Sequence, residues 1–194
     1  MHPLPLVSVW PYALVFWVVF VGVFAPEGVL TARTSQSRKQ DAGSLQLVLG
    51  AQFLAMFAAF SLAFTVRSTS LQRPLLCFWI GLVVMVAGSA LRHHCFRMLG
   101  SSFTTAVVVV ADQAIIQRGA YRWIRHPSYT GGMLIFAGIG LALGNWVSLL
   151  VLAVIVPASY MYRVVIEERA LLETLGEPYR DYMRRTRRFV PLLI

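Results

Sequence analysis

Apolar residues run almost unbroken through five stretches of the chain, 6–25, 45–65, 74–91, 131–144 and 146–162. A helix needs ~20 mostly apolar residues to cross the hydrocarbon core, where its backbone groups must be bonded within the segment. The pattern predicts an all-α fold: a polytopic membrane helical bundle of about five transmembrane helices, forming a single integral membrane domain over residues 1–194. The first stretch has no Lys or Arg in residues 1–5. It therefore lacks the basic start of a signal peptide and is expected to remain as a span.

Only Asn145 separates the fourth stretch from the fifth, in Leu143-Gly144-Asn145-Trp146. That spacing predicts a tight hairpin whose first arm is short for a full crossing. Gly131, Gly132, Gly138, Gly140 and Gly144 punctuate this arm. Small residues let helices approach closely in lipid, and Gly140 and Gly144 have the small-xxx-small spacing. Beyond the last stretch, Leu171, Leu172, Leu175, Tyr179, Tyr182 and Met183 alternate with charges at helical intervals, interrupted at Gly176-Glu177-Pro178. This reads as a helix leaving the membrane, a turn, and an amphipathic helix on the cytoplasmic surface. Residues 31–44 read as a polar loop.

Composition agrees with burial in lipid. Of 194 residues, 58% are hydrophobic and only 13% charged, too few to give a soluble domain its polar surface. The net charge of +9 would suit a nucleic-acid partner if the charges were clustered without regard to the spans. Sorted by loop, fifteen of the 17 Lys and Arg fall on one side when the N-terminus lies outside. Arg92 and Arg97 are counted there as residues of the third loop. The positive-inside tendency then accounts for the charge, and nucleic acid is not expected as a partner. Cys77 and Cys95 have neither the number nor the spacing of a disulfide framework.

Two clusters carry candidate chemistry. Residues 115–132 place Arg125, His126, Tyr129, Gly131 and Gly132 directly before the hairpin. Polar groups at membrane depth point to a site, although Tyr, Trp and Arg also collect in interfacial belts. At the end of the last stretch stand Tyr160, Tyr162, Arg163, Glu167 and Glu168. Arg163 and Glu167 are one helical turn apart and share a face, as would an ordinary pair at a snorkelling helix end. His93-His94-Cys95 offers zinc-type ligands, but adjacent residues seldom converge on one ion, so no metal is expected. Neither a phosphate-cradling glycine loop nor a GxSxG elbow occurs.

Four fragments in order, Arg125-His126-Pro127-Ser128-Tyr129-x-Gly131, Arg163-xxx-Glu167-Glu168, Leu175-Gly176-xx-Tyr179-xx-Tyr182 and Arg188-Phe189-Val190-Pro191, resemble the isoprenylcysteine carboxyl methyltransferase family. Phospholipid methyltransferases are similar over part of the pattern, and the resemblance is taken as one to a prokaryotic member. It implies a site within the membrane for S-adenosyl-L-methionine, with S-adenosyl-L-homocysteine as product. Residues 1–100 would then supply spans, and 101–194 the cofactor site and chemistry. By matching positions, Gln113, Ala114, Ile115, Ile116 and Tyr121 line the cofactor pocket. His126, Pro127, Ser128 and Tyr129 hold its polar end, and Glu167 and Glu168 contact it. Arg163 faces the methyl acceptor, with Arg163 and Glu167 as the catalytic pair.

The acceptor implied is the carboxylate of an isoprenylcysteine-like lipid or lipidated protein, reached from the cytoplasmic side among membrane lipids. The alternatives are a lipid amine methyltransferase and a sterol-reductase-like enzyme, whose His-Pro-x-Tyr segment is similar but whose chains are generally longer. A small transporter is disfavoured, because the first three stretches hold essentially no ionisable residue between their ends.

Overall fold

The structure, a computed structural model, describes residues 4–33, 43–99 and 115–189. Those residues form helices α1 (Tyr12–Arg33), α2 (Ser44–Thr65), α3 (Pro74–Leu99), α4 (Pro127–Ala142), α5 (Trp146–Leu175) and α6 (Glu177–Arg185). Three of them, α2, α3 and α5, are long and apolar enough to cross a membrane, and α1 carries a shorter apolar run, Tyr12–Ala25. Their outward faces are apolar: Val18, Val21, Phe53, Phe57, Val83, Val86 and Val154 are all exposed. Water would penalise such a surface and lipid does not.

Each helix starts or stops for a local reason. Pro127 opens α4, where a missing N–H is harmless and the ring already holds a helical φ. Gly144, at φ +66°, turns the chain after α4, a conformation that favours glycine. Asn145 then caps α5 by accepting from the N–H of Val147 at 3.0 Å and of Ser148 at 3.1 Å. The buried Asn145 amide also donates to the Val66 carbonyl and to Thr69 Oγ1, pinning the α2–α3 connection beneath the turn. At the far end, α5 stops at Gly176 with φ +60°. A helix of 30 residues is about 45 Å long, so α5 is longer than the ~30 Å hydrocarbon core.

The helices pack in antiparallel pairs. Along α3 and α4 the contact runs through glycines seven residues apart on each helix. A Cβ on Gly81 would lie 2.5 Å from the Gly138 carbonyl oxygen, and one on Gly138 2.5 Å from that of Gly81. Gly88 and Gly131 oppose each other in the same way, at 2.6 and 2.7 Å. Gly140 also marks a close backbone approach, where an added Cβ would lie 2.7 Å from Leu149 Cα across the hairpin to α5, whereas Gly144 is the turn and takes no part in helix packing. Between α2 and α5 the register is set by Ser148, whose hydroxyl donates to the Ala59 carbonyl at 2.6 Å, and by Arg163, which donates to Ser44 Oγ at 3.1 Å. The core between the pairs is built from Phe16, Phe78, Met85, Ile139 and Leu152.

The third helix also differs from its expected span. It continues past residue 91 to Leu99, so Arg92 and Arg97 belong to α3 and not to a loop.

Candidate functional site

The start of α4 and the outer turns of α5 meet at one end of the bundle. Pro127 at the first helical position makes His126 the N-cap residue and puts Tyr129 in the first turn. The Tyr129 ring lies 4.9 Å from that of Tyr160 on α5 and stacks on His126 at 5.6 Å. Its hydroxyl donates to Glu167 Oε2 at 2.8 Å and accepts from Arg163 Nε at 2.9 Å. Arg163 is only 5% exposed, a guanidinium held inside the bundle end by Tyr129 and Ser44. Such a charge is costly without these hydrogen bonds. The i,i+4 relation of Arg163 and Glu167 is thus bridged from another helix, and Glu167 is half-buried.

Glu168, one residue on, points into a different environment. Its Oε1 accepts from Arg125 Nε at 2.8 Å and lies 3.3 Å from His126 Nε2. Its Oε2 accepts from Arg188 Nε at 3.0 Å and Nη2 at 2.9 Å. Arg188 reaches it because the chain after α6 pairs with the chain before α4. Arg187 N donates to the Trp123 carbonyl, Arg125 N to that of Arg187, and His126 N to that of Arg188. Thr130 Oγ1 adds a bond to the Phe189 carbonyl at 2.7 Å. Arg125 Nη1 also donates to the Met183 and Thr186 carbonyls, satisfying groups that α6 leaves open at its end.

Around this centre, Tyr121 is buried in the turn Gly119–Arg122, where its carbonyl accepts from the Tyr182 hydroxyl at 2.7 Å and its phenol meets Cys95 of α3. Burial pushes the Tyr182 phenol up to about 12 and that of Tyr121 well above the ordinary tyrosine range, so both stay protonated.

The sequence-derived residues therefore divide. Tyr129, Arg163 and Glu167 form one connected group. His126, with Arg125, joins Glu168 instead. Pro127 and Ser128 shape the first turn, and the Ser128 carbonyl accepts from Arg92 Nη1 at 2.9 Å. Ile115 and Ile116 are half-buried in the approach to the turn at Tyr121. Gln113 and Ala114 lie outside the described residues. Arg92, Ser44 and Thr130 do not stand out in the sequence as site residues. Arg92 carries a signal nonetheless: it follows Gly88 by one turn, and its stem fills the space that Gly131 leaves open. Among the described residues no group of three His, Cys, Asp or Glu is placed to hold a metal, and His93 bonds back to the Ser89 carbonyl. A separate cavity of about 340 Å³ lies at the opposite end of the bundle, between Leu6, Ala63, Leu71, Pro74 and Leu143.

Comparison with known proteins gives three kinds of likeness. Protein-S-isoprenylcysteine O-methyltransferase B of Arabidopsis thaliana is 30% identical over 121 residues, covering 60% of this chain and 61% of that protein. The Tribolium castaneum protein-S-isoprenylcysteine O-methyltransferase is 33% identical over 119 residues, covering 59% and 41%. That of Schizosaccharomyces pombe is 30% identical over 108 residues, covering 55% and 46%. The chain thus spans roughly half the length of these curated relatives, all of them eukaryotic, and they lend no support to a prokaryotic origin. A solved structure of a eukaryotic intramembrane Ras methyltransferase, an isoprenylcysteine carboxyl methyltransferase, superposes with a TM-score of 0.60 at 22% identity, covering 95% of this chain and 69% of that one, and so shares the fold. The family model described as Phospholipid methyltransferase matches residues 76–178, from α3 through the Tyr129 and Glu167 site to the start of α6. Over more than half its length, then, this chain belongs to the phospholipid methyltransferase family.

Proposed function

We propose that the protein is an S-adenosylmethionine-dependent methyltransferase of the membrane that esterifies the carboxylate of an isoprenylcysteine-like lipid or lipidated protein. The reading rests chiefly on one observation, the buried Arg163 guanidinium joined through the Tyr129 hydroxyl to Glu167. The donor set fits the cofactor, whose ammonium and ribose hydroxyls want acceptors such as Glu167 and whose carboxylate wants donors. Glu167 and Tyr129 would hold it, with His126, Pro127 and Ser128 at the start of α4 and residues 113–116 and Tyr121 along its length. When bound, S-adenosylmethionine supplies a methyl group on a sulfonium, which an ionised carboxylate takes without a general base.

Arg163 serves the acceptor. A guanidinium stays charged when buried and grips a carboxylate in its own plane. Ser44 and Tyr129 fix its orientation from two other helices, so the acceptor is positioned before reaction. The surrounding apolar faces keep water out. The basic loops favour an outside N-terminus and a site that opens to the cytoplasm, where the polar cofactor is found.

The family match to phospholipid methyltransferases favours a second reading, methylation of a lipid amine. An amine must lose a proton before it reacts, and Glu167 would have to accept it. The two are separated by giving protein in nanodiscs methyl-labelled S-adenosylmethionine with a farnesylcysteine acid and phosphatidylethanolamine together. Label on the acid, released by mild base as an ester would be, supports the first reading. Label confined to the amine lipid rejects it.

A further inference from the structure

Glu168 stands beside Glu167, yet its bonding leaves it nothing to offer a ligand. A carboxylate accepts about four hydrogen bonds. Arg125 and His126 take Oε1, and two nitrogens of Arg188 take Oε2. The side chain is 4% exposed. All three partners belong to segments that pair with each other, 123–126 before α4 and 186–189 after α6. One of them, His126, sits at the N-cap of α4 and stacks on Tyr129. The resemblance to methyltransferases sets both glutamates against the cofactor, and the geometry separates them.

We propose that Glu168 is a positioning residue for the cofactor and not a ligand of it. It orients His126 through Nε2 and ties residues 186–189 across the first turn of α4, so that the wall formed by His126 and Tyr129 is held in place. The inference rests on the reading of Tyr129 and Glu167 as the cofactor site. A positioning role has a signature that direct contact lacks. Part of Glu168's effect passes through Arg188 and the rest through Arg125 and His126, so losing Arg188 should do some of the damage of losing Glu168, and losing both no more than losing Glu168 alone.

The test is equilibrium binding and release of S-adenosylhomocysteine by wild type, Glu168→Gln, Arg188→Gln and the double variant in nanodiscs. Arg188→Gln is expected to bind about tenfold more weakly, the size of one lost charge-assisted hydrogen bond, and Glu168→Gln at least as weakly. The loss should fall on the release rate, and the double variant should match Glu168→Gln. Weakening by Glu168→Gln with native binding in Arg188→Gln would mean that the tie to residues 186–189 contributes nothing, and would overturn the proposal. So would native affinity in the folded fraction of both, which would leave the cluster a stability device. Should Glu168→Gln not fold, Arg188→Gln and Thr130→Val decide alone, since both loosen the 186–189 segment while Arg125 and His126 still hold the carboxylate. Native affinity in that pair also overturns it. If wild type fails to bind at all, the reading of the cofactor site has failed, and the proposal with it.

Discussion

Tyr129 and Glu167, on different helices, share a 2.8 Å hydrogen bond, and the same phenol oxygen accepts from Arg163. One hydroxyl therefore relays between the residue assigned to the acceptor and the one assigned to the cofactor. Tyr129→Phe keeps the ring packing against Tyr160 and His126 and removes only the relay. A hydrogen bond to a charged group is worth ~1.5–3 kcal/mol, so S-adenosylhomocysteine affinity and turnover should each fall roughly ten- to a hundredfold. Titration and single-turnover methyl transfer check this. Native values for both would remove Tyr129 from the site.

Arg163→Lys keeps the charge and loses the planar fork that meets Tyr129 and Ser44. Methyl transfer to the farnesylcysteine acid should collapse, while cofactor affinity stays within about threefold of native, because Tyr129 keeps its hydrogen bond to Glu167. Parallel binding and rate measurements separate the two effects, and near-normal turnover would contradict the assignment.

The α3–α4 seam predicts a sharp contrast among glycines. Gly81→Ala and Gly138→Ala each push a methyl group into a facing backbone and should destabilise by ~1–3 kcal/mol, as overpacking does. At Gly22 and Gly50 an added methyl group would meet nothing within 4 Å, so alanine there should be neutral or slightly stabilising. Thermal or denaturant unfolding in detergent gives the answer. Equal effects at all four positions would mean that the seam is not where these helices touch.

Orientation can be read by accessibility. Ser68, between α2 and α3, and Arg185, at the end of α6, are both exposed, whereas Thr186 is buried and unsuited to labelling. In sealed vesicles, with the two native cysteines replaced, Ser68→Cys should react from outside and Arg185→Cys only from inside. The reverse pattern would invert the proposed topology.

How much of this is legible in the chain depends on the range of the interaction. The apolar stretches mark α1 to α5 because each is a continuous apolar run, and the Asn145 turn is visible because Gly144 and an N-cap residue stand together. The end of α3 is not, since nothing at residue 91 forces a helix to stop, and Arg92 reads as a loop charge. The glycine seam needs both helices side by side: Gly81 and Gly88 acquire meaning only opposite Gly138 and Gly131. The division between Glu167 and Glu168 is hidden for a similar reason. Successive helical residues differ by about 100° in direction, so the two adjacent carboxylates face different partners. Those partners include Arg188, which reaches Glu168 only through pairing of two segments far apart in sequence.

Whether this end of the bundle binds the cofactor through Glu167 decides the proposed function. Equilibrium titration of purified protein with S-adenosylhomocysteine, for wild type and Glu167→Ala, addresses that directly. Saturable binding at one site per chain is predicted for wild type, with affinity roughly ten- to a hundredfold lower in the variant, as one charge-assisted bond requires. Absence of binding by folded wild type, or equal affinity in the two proteins, would contradict it.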